Sequence, residues 1–389
     1  MRIEGTRQGM LMGNLEGVMA FNSFRPAPLQ NIVPLSLNND GQMQLAACSR
    51  KLGELAGIAR SASNIQMYLT MYVRKEALLS AQIEGTQCTL DDVLDPDNQR
   101  VVHQDVSEVI SYIKALEFAV QRMADFPLCL RLLRETHALL LGNTRGEDKT
   151  PGEIRTSQNW IGPTGCLLNE AAYVPPSVPD MREALSALDE FINSDFDIDP
   201  LVKTALVHYQ FETIHPFLDG NGRLGRLLIT LMLLHEGVLK TPVLYPSYEL
   251  KMRRTEYYER LTAVRERGDF EGWVTFFCAC LAASADDAIT SMDRLAQIHS
   301  RSEAKIRARL GRGLANGLRL LEFIEGHPIA GIPYITRELG LSRSSTTALV
   351  KEFVEMGILK VRDEEKQRYR TYLYEEYLEV LRAGVEPIR

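Results

Sequence analysis

Apolar residues recur three and four positions apart through most of residues 42–298, the spacing that lays one face of an α-helix against a core. This period predicts helices near 42–61, 65–84, 104–123, 128–141, 179–194, 200–213, 223–236, 248–265 and 270–297. One of them stands apart. Leu224, Leu227, Leu228, Leu231, Met232, Leu233 and Leu234 leave almost no polar face, and a helix apolar on all sides belongs in the middle of a bundle. The helical period gives way at 158–165 and 172–176, where two short strand-like stretches flank a Gly/Pro turn and predict a β-hairpin. Residues 1–40 read as irregular, with a turn-rich Phe24–Leu29 and the break Asn38-Asn39-Asp40-Gly41.

Past the charged run 299–309 the elements shorten. Leu318–Glu325, Ile335–Leu339 and Ser344–Met356 predict helices, with Gly340 in the turn before the third. Residues 357–362 and 368–373 predict paired strands. Three helices and a two-stranded ribbon make a winged helix-turn-helix. The expected fold is therefore mainly α, a helical bundle with a hairpin and a C-terminal winged helix. Its expected parts are an N-terminal region, 1–100, a central domain, 101–298, and a linker with the winged helix, 299–389.

Composition removes several function classes. The 389 residues are 45% hydrophobic and 24% charged, as in an ordinary soluble globular protein. A net charge of -7 gives no global attraction to nucleic acid or to an anionic membrane. Cys48, Cys88, Cys129, Cys166, Cys278 and Cys280 are scattered without a CxxC pair, which points to reduced thiols rather than to disulfides or zinc. The first residues lack the features of a secretion signal, and no apolar run reads as a membrane span, so the expectation is a cytoplasmic protein with no membrane partner.

The chemistry concentrates in His215–Arg226, HPFLDGNGRLGR. Gly220, Gly222 and Gly225 satisfy the GxGxxG spacing of dinucleotide-binding folds, but the segment before them is helical and no βαβ unit surrounds them. What remains is an anion site, in which a glycine turn exposes its amides at a helix N-terminus. Arg223 and Arg226 lie on one face of that first turn, where cations oppose the helix dipole by about 0.3–1 kcal/mol each. A polyphosphate at the helix end would account for them. Asp219 is a candidate Mg²⁺ ligand, since Mg²⁺ needs only one or two carboxylates beside substrate phosphates; it also suits a plain turn before Gly220. His215 can be neutral at pH 7 and accept a proton from a hydroxyl.

These residues resemble the signature of the Fic family, HxFx(D/E)GNGRxxR, at every fixed position. The resemblance covers roughly residues 15–300 and implies transfer of AMP from ATP to a hydroxyl side chain of a target protein. Carried over by position, His215 would be the base and Asp219 would hold Mg²⁺. Gly220, Asn221 and Gly222 would line the phosphate cradle, with Leu224 and Gly225 in the same helical turn. Arg223 would neutralise the leaving pyrophosphate, and Arg226 would contact the γ-phosphate. The hairpin, with Trp160, Ile161 and Gly162, resembles the family's flap, which would bind a target segment, or the chain itself, by strand addition. A purely structural hairpin is the alternative. Ser247–Tyr258 resembles the helix bordering the adenosine pocket. Ser247, Arg254, Tyr257 and Tyr258 match; Glu249, Leu250 and Arg253 depart from the usual residues.

Ser80-Ala-Gln-Ile-Glu84-Gly85 resembles the family's inhibitory motif, (S/T)xxxE(G/N), placed on the N-terminal side of the catalytic loop. Gly85 suits a left-handed helix end, and Glu84 then sits in a last turn where its charge opposes the dipole. By the resemblance, Glu84 would pair with Arg226 where the γ-phosphate belongs.

Two other functions stay open on the sequence. In the winged helix, Arg343, Ser344, Ser345, Thr347 and Lys351, with Lys366, Arg368 and Arg370 on the wing, would face DNA. Residues 331–389 hold ten basic and ten acidic side chains, without the basic excess of a usual DNA binder. The other is a Fic enzyme that transfers a different phosphate-linked group.

Overall fold

The computed structural model describes residues 3–15, 20–61, 65–95, 104–142, 144–163, 165–362, 365 and 370–387. An antiparallel hairpin, β1 (Gly9–Asn14) and β2 (Phe21–Pro26), opens the chain where the sequence predicted irregular structure. The short strands lack a helical period; Ser23 and Phe24, neighbours in β2 and so on opposite faces of it, are both fully buried.

Helices follow in chain order: α1 (Asn39–Ser61), α2 (Ile65–Ile83), α3 (Leu90–Leu94), α4 (Gln104–Arg122), α5 (Leu130–Leu141), α6 (Val178–Asn193), α7 (Pro200–Ile214), α8 (Asn221–His235), α9 (Ser247–Met252), α10 (Arg254–Arg267) and α11 (Phe270–Arg309). Their starts follow local chemistry. Asp199 accepts from Leu201 N at 2.8 Å with Pro200 in the first turn of α7. Ser177 caps α6 and Asp269 caps α11 in the same way. α7 and α8 pack on each other at the centre of the bundle, with every residue of 201–214 buried.

Two departures from the period have local causes. The helix predicted over 248–265 breaks at Arg253, whose φ of −107° and ψ of 33° separate α9 from α10. α11 runs unbroken to Arg309, because the charged run after 298 still propagates a helix. By length and composition α11 is apolar enough to cross a membrane, and 61% of its most apolar window is buried inside the protein against α1, α7 and α12.

The C-terminal part contains α12 (Leu314–Gly326), β3 (Ile329–Gly331), α13 (Ile332–Leu339), α14 (Arg343–Glu355), β4 (Lys360–Val361), β5 (Thr371–Leu373) and α15 (Glu375–Arg382). Gly340, at φ +64°, makes the predicted turn between α13 and α14. The ribbon has a third strand, in the order β3-β5-β4, all antiparallel. Lys366 and Arg368 of the expected wing lie outside the described residues. α15 was not predicted from the sequence; Tyr377, Leu378 and Leu381 bury its apolar stripe against α11.

The hairpin expected over 158–174 is a loop held by a single bridge, Ile161 to Tyr173, with reciprocal backbone bonds of 2.8 and 3.0 Å. A turn at Leu168–Glu170 and the prolines after Val174 leave no room for a longer ladder. Phe24 N of β2 donates to Val174 O at 2.9 Å, so the N-terminal hairpin props this loop from behind.

Candidate active site

α7 ends and α8 begins at one point, and the turn between them carries the motif. His215 closes α7 in the left-handed region, φ 51° and ψ 60°, a conformation rare for a residue with a Cβ. Surrounding groups enforce it. Arg155, 1% exposed, donates to His215 O at 3.0 Å, to Ser157 O at 3.1 Å and to Pro176 O at 2.6 Å. Asn159 donates to His215 O and to Phe217 O at 3.2 and 2.9 Å. Asn221 accepts from Phe217 N at 2.9 Å and donates to Phe217 O at 2.8 Å, so its side chain staples the loop shut. Phe217 stacks on His137 with ring centres 3.8 Å apart. Gly152 N donates to His137 Nδ1 at 2.8 Å, which leaves Nε2–H of His137 to donate to Asp219 O at 2.9 Å. Burial pushes His137 down to about 4, consistent with that neutral tautomer.

The loop opens on a cavity of about 880 Å³ lined by His215, Asp219, Gly220, Asn221, Gly222, Arg223 and Arg226. Burial pushes the His215 imidazole down to about 4, so it is neutral at pH 7. Arg223 lies 3.8 Å from Asp219 Oδ1 and 3.9 Å from Glu108 Oε2, and its buried Nη1 has no hydrogen-bond partner. A buried guanidinium N–H without an acceptor is costly, and an anion in the cavity would remove that cost. Asp219 keeps 45% side-chain exposure toward the same space, and its Oδ1 accepts from Gly220 N at 2.6 Å. Among the described residues no three His, Cys, Asp or Glu side chains gather as a metal site.

Arg226 is already paired. It is 1% exposed and donates to Ser80 Oγ and Ser80 O at 3.0 Å each, and to Glu84 Oε1 at 2.6 Å. Gly85, at φ +101°, ends α2 in a Schellman turn: Thr86 N donates to Ala81 O and Gly85 N to Gln82 O. That turn aims Glu84 across the N-terminus of α8. A Cβ on Gly222 would lie 2.2 Å from Glu84 Oε1, so the carboxylate rests directly on the first turn of α8, where an anion is favoured. Loss of water disfavours charge on Glu84, but the Arg226 guanidinium outweighs it and holds the carboxyl below its usual range.

The remaining sequence candidates divide. Ile161, Gly162 and Tyr258 line the cavity. Trp160 does not; its indole donates to Cys166 O at 3.1 Å and 43% of the residue is exposed. Tyr257 is buried behind the wall, with its hydroxyl 3.0 Å from His208 Nε2. Leu224 packs in the core, and Gly225 leaves space for the Glu212 carboxyl, which a Cβ there would meet at 2.2 Å. The unusual Glu249 and Arg253 pair with each other at 2.9 Å.

Comparison with known proteins agrees with this geometry. The Fic/DOC family N-terminal pattern matches residues 42–121, and the Fic/DOC family pattern matches residues 127–233, which include the whole motif. Residues 42–233 thus carry the Fic/DOC family N-terminal and Fic/DOC domains. The pattern of an IclR helix-turn-helix domain matches residues 313–363. A protein named protein adenylyltransferase Fic from Drosophila willistoni is 30% identical over 161 residues, 41% of this chain and 29% of that one. Its namesake from Drosophila melanogaster is 25% identical over 293 residues, 72% of this chain and 54% of that one. The chain thus spans about half, or less, of the length of these relatives. A Fic family protein from Desulfovibrio desulfuricans G20 shares the fold, with a TM-score of 0.54 at 21% identity over 87% of this chain and 97% of that one.

Sequence reasoning missed Arg155, Asn159, His137, Glu108 and Glu212 around this Fic site. His137 acts through Asp219, 82 residues away, and Asn159 through Phe217, 58 residues away, and a local pattern carries no such signal.

Proposed function

We propose that the chain transfers AMP from ATP to a Ser, Thr or Tyr hydroxyl, on a target protein or on the chain itself, and that Glu84 restrains the reaction. One observation carries this reading: two buried arginines at the start of α8 face a neutral histidine in one cavity, and Arg226 is satisfied there by a carboxylate. In the reaction, the target hydroxyl oxygen attacks the α-phosphorus as its proton passes to the His215 ring. The bond from that phosphorus to the bridging oxygen breaks, and pyrophosphate leaves against Arg223 and Arg226. Positioning and charge stabilisation do most of the work in such transfers.

Mg²⁺ fits the residues present: a half-exposed Asp219 oxygen beside an anion site is the ligand set Mg²⁺ takes with nucleotide phosphates. Bound there, it would neutralise phosphate charge. Ile161 and Gly162 offer backbone at the cavity edge for an extended target segment. The names of the adenylyltransferase relatives support ATP as the donor.

Incubation with ATP labelled separately at the α and γ positions tests the reading. Protein-bound label from the α position alone supports it; label from γ alone would establish a different transferred group. A second reading, DNA binding, draws on the helix-turn-helix match and on exposed Arg343, Ser344, Ser345, Thr347 and Lys351 along α14. A salt-dependent mobility shift with random duplex DNA would establish it.

A further inference from the structure

Ser80 and Glu84 meet Arg226 from one side of α2. Gln82 lies between them in sequence, about 200° round the helix from either. It points into a seat built by the far end of the chain. The residue is 1% exposed. Its amide donates to Val385 O at 2.9 Å and to Cys88 O at 3.1 Å, and its carbonyl oxygen accepts from Lys251 Nζ at 2.7 Å. Lys251, on α9, also donates to Gly384 O at 3.5 Å and to Glu386 O.

The segment after α15 is shaped for this seat. Gly384 has φ +73°, and a Cβ on it would lie 2.2 Å from Tyr248 Cε2, so the chain lies flat against α9. Just before it, Arg382 donates to both Asp91 oxygens at 2.7 Å, which fastens α15 to α3. Arg362 pairs with Asp95 at 2.5 Å, and Arg74 of α2 donates to Gly326 O at 3.2 Å. From the other side, Thr86 Oγ1 donates to Glu108 at 2.7 Å and Gln87 N to Asp105 at 2.9 Å. The turn that carries Glu84 is therefore suspended between α4 and the C-terminal segment.

We propose that Gln82 is a positioning residue for the Glu84–Arg226 contact, and that the C-terminal segment Arg382–Glu386 is the latch that holds it. The argument is mechanical. The Schellman turn fixes Glu84 relative to the last turn of α2, and Gln82 is the buried side chain of that turn tied to the winged-helix part. Displacing the C-terminal segment removes the bond from the Gln82 amide to Val385 O, one of the three that hold the group, and leaves Lys251 with fewer acceptors. The end of α2 then loosens, and Arg226 becomes free for nucleotide phosphate. Anything that engages the winged helix and shifts α15 would act on the active site by this route.

The inference rests on the inhibitory reading of Glu84, and the test separates the two. Gln82→Leu and Arg382→Gln are made in the full chain, each with and without Glu84→Gly. Self-labelling from α-labelled ATP and the ATP concentration at half-saturation are measured. Gln82→Leu loses three hydrogen bonds, one of them from the Lys251 ammonium, and Arg382→Gln loses the ion pair with Asp91; the part of that loss that reaches the Glu84 contact predicts self-labelling raised about 2- to 10-fold, and half-saturation lowered, in the parent background. In the Glu84→Gly background the same substitutions change neither. Gln82→Glu keeps the Lys251 contact and falls between the parent and Gln82→Leu. Equal changes in both backgrounds, or no rise in the parent while Glu84→Gly raises labelling, overturn the latch. If Glu84→Gly itself leaves labelling unchanged, the inhibitory reading fails and the latch with it. Melting temperatures identify a variant that has lost its fold, and Arg382→Gln, at a partly exposed site, keeps the question decidable if Gln82→Leu does not fold.

Discussion

Among the described residues, replacing Glu84 with glycine leaves Ser80 as the side-chain hydrogen-bond partner of Arg226 and frees the N-terminus of α8. The bond removed is charge-assisted at 2.6 Å, with a guanidinium that is 1% exposed and a carboxylate that keeps 40% of its side-chain surface. Its exposure keeps it well short of a fully buried pair. A hydrogen bond to a charged group contributes about 1.5–3 kcal/mol. If the γ-phosphate must displace this carboxylate, that energy is subtracted from the binding of ATP in the reactive pose. At about 1.4 kcal/mol per decade, removal raises the apparent ATP affinity about 10- to 140-fold. The assay is the initial rate of α-label incorporation against ATP concentration, with Mg²⁺ in excess. Glu84→Gly should lower half-saturating ATP, and raise the rate at low ATP, by a factor within that range. Glu84→Gln keeps one neutral acceptor and should give a smaller effect. Saturation curves for parent and Glu84→Gly that agree within twofold would refute the argument, because Arg226 would then not be shared between carboxylate and phosphate.

Other expectations follow from the same geometry. His215→Ala should lower transfer by about 10²–10⁴-fold while fluorescent-nucleotide binding stays near the parent value, since the imidazole takes the proton and holds no phosphate in this scheme. Because burial lowers His215 to about 4, the base is already neutral at pH 5, so kcat/KM should fall only as pH drops through about 4. A fall centred near 6.5, the ordinary histidine value, would show that the imidazole is not held as described. Asp219→Ala, or chelation of the parent with EDTA, should abolish label transfer, with activity returning to the chelated parent, but not to the variant, on adding Mg²⁺. Arg155→Met removes the donor to Ser157 O and Pro176 O and leaves His215 O with Asn159 alone, an orphaned carbonyl costing about 1–3 kcal/mol where water cannot reach it. It should lower the melting temperature and reduce kcat more than KM for ATP, as the His215 loop loses its left-handed set.

The legible parts of this protein were those in which one stretch of chain does one job. The helical period placed α7 and α8 because each buries nearly every side chain, and the glycines of the motif marked the turn between them. The same reasoning split off the winged helix but missed α15, whose eight residues are too short for the period to stand out. It overstated the flap, because alternation and a Gly/Pro turn predict paired strands whether the loop forms six bridges or one. Where the sequence suggested that Glu84 stands against the helix dipole for a reason, the structure supplies the contact: a Schellman turn directs that carboxylate onto Arg226, 142 residues away.

What no local pattern conveys is the dependence of the site on distant groups that do no chemistry. His215 adopts a left-handed backbone because Arg155 and Asn159 both hold its carbonyl, and strain of this kind persists only where the surroundings over-determine it. Glu84 rests on α8 because Gly222 has no side chain and because the turn that bears it is gripped from both sides. The two residues with opposite roles, the proposed base and the proposed brake, are therefore held by separate supports: Arg155 and Asn159 for His215, and the Ser80–Gln82 turn for Glu84. Separate supports allow the brake to move while the base stays in register. A regulator built this way changes how often ATP reaches its reactive pose and leaves the geometry of the transfer untouched, so release should appear in the ATP dependence of the rate before it appears in the rate at saturation.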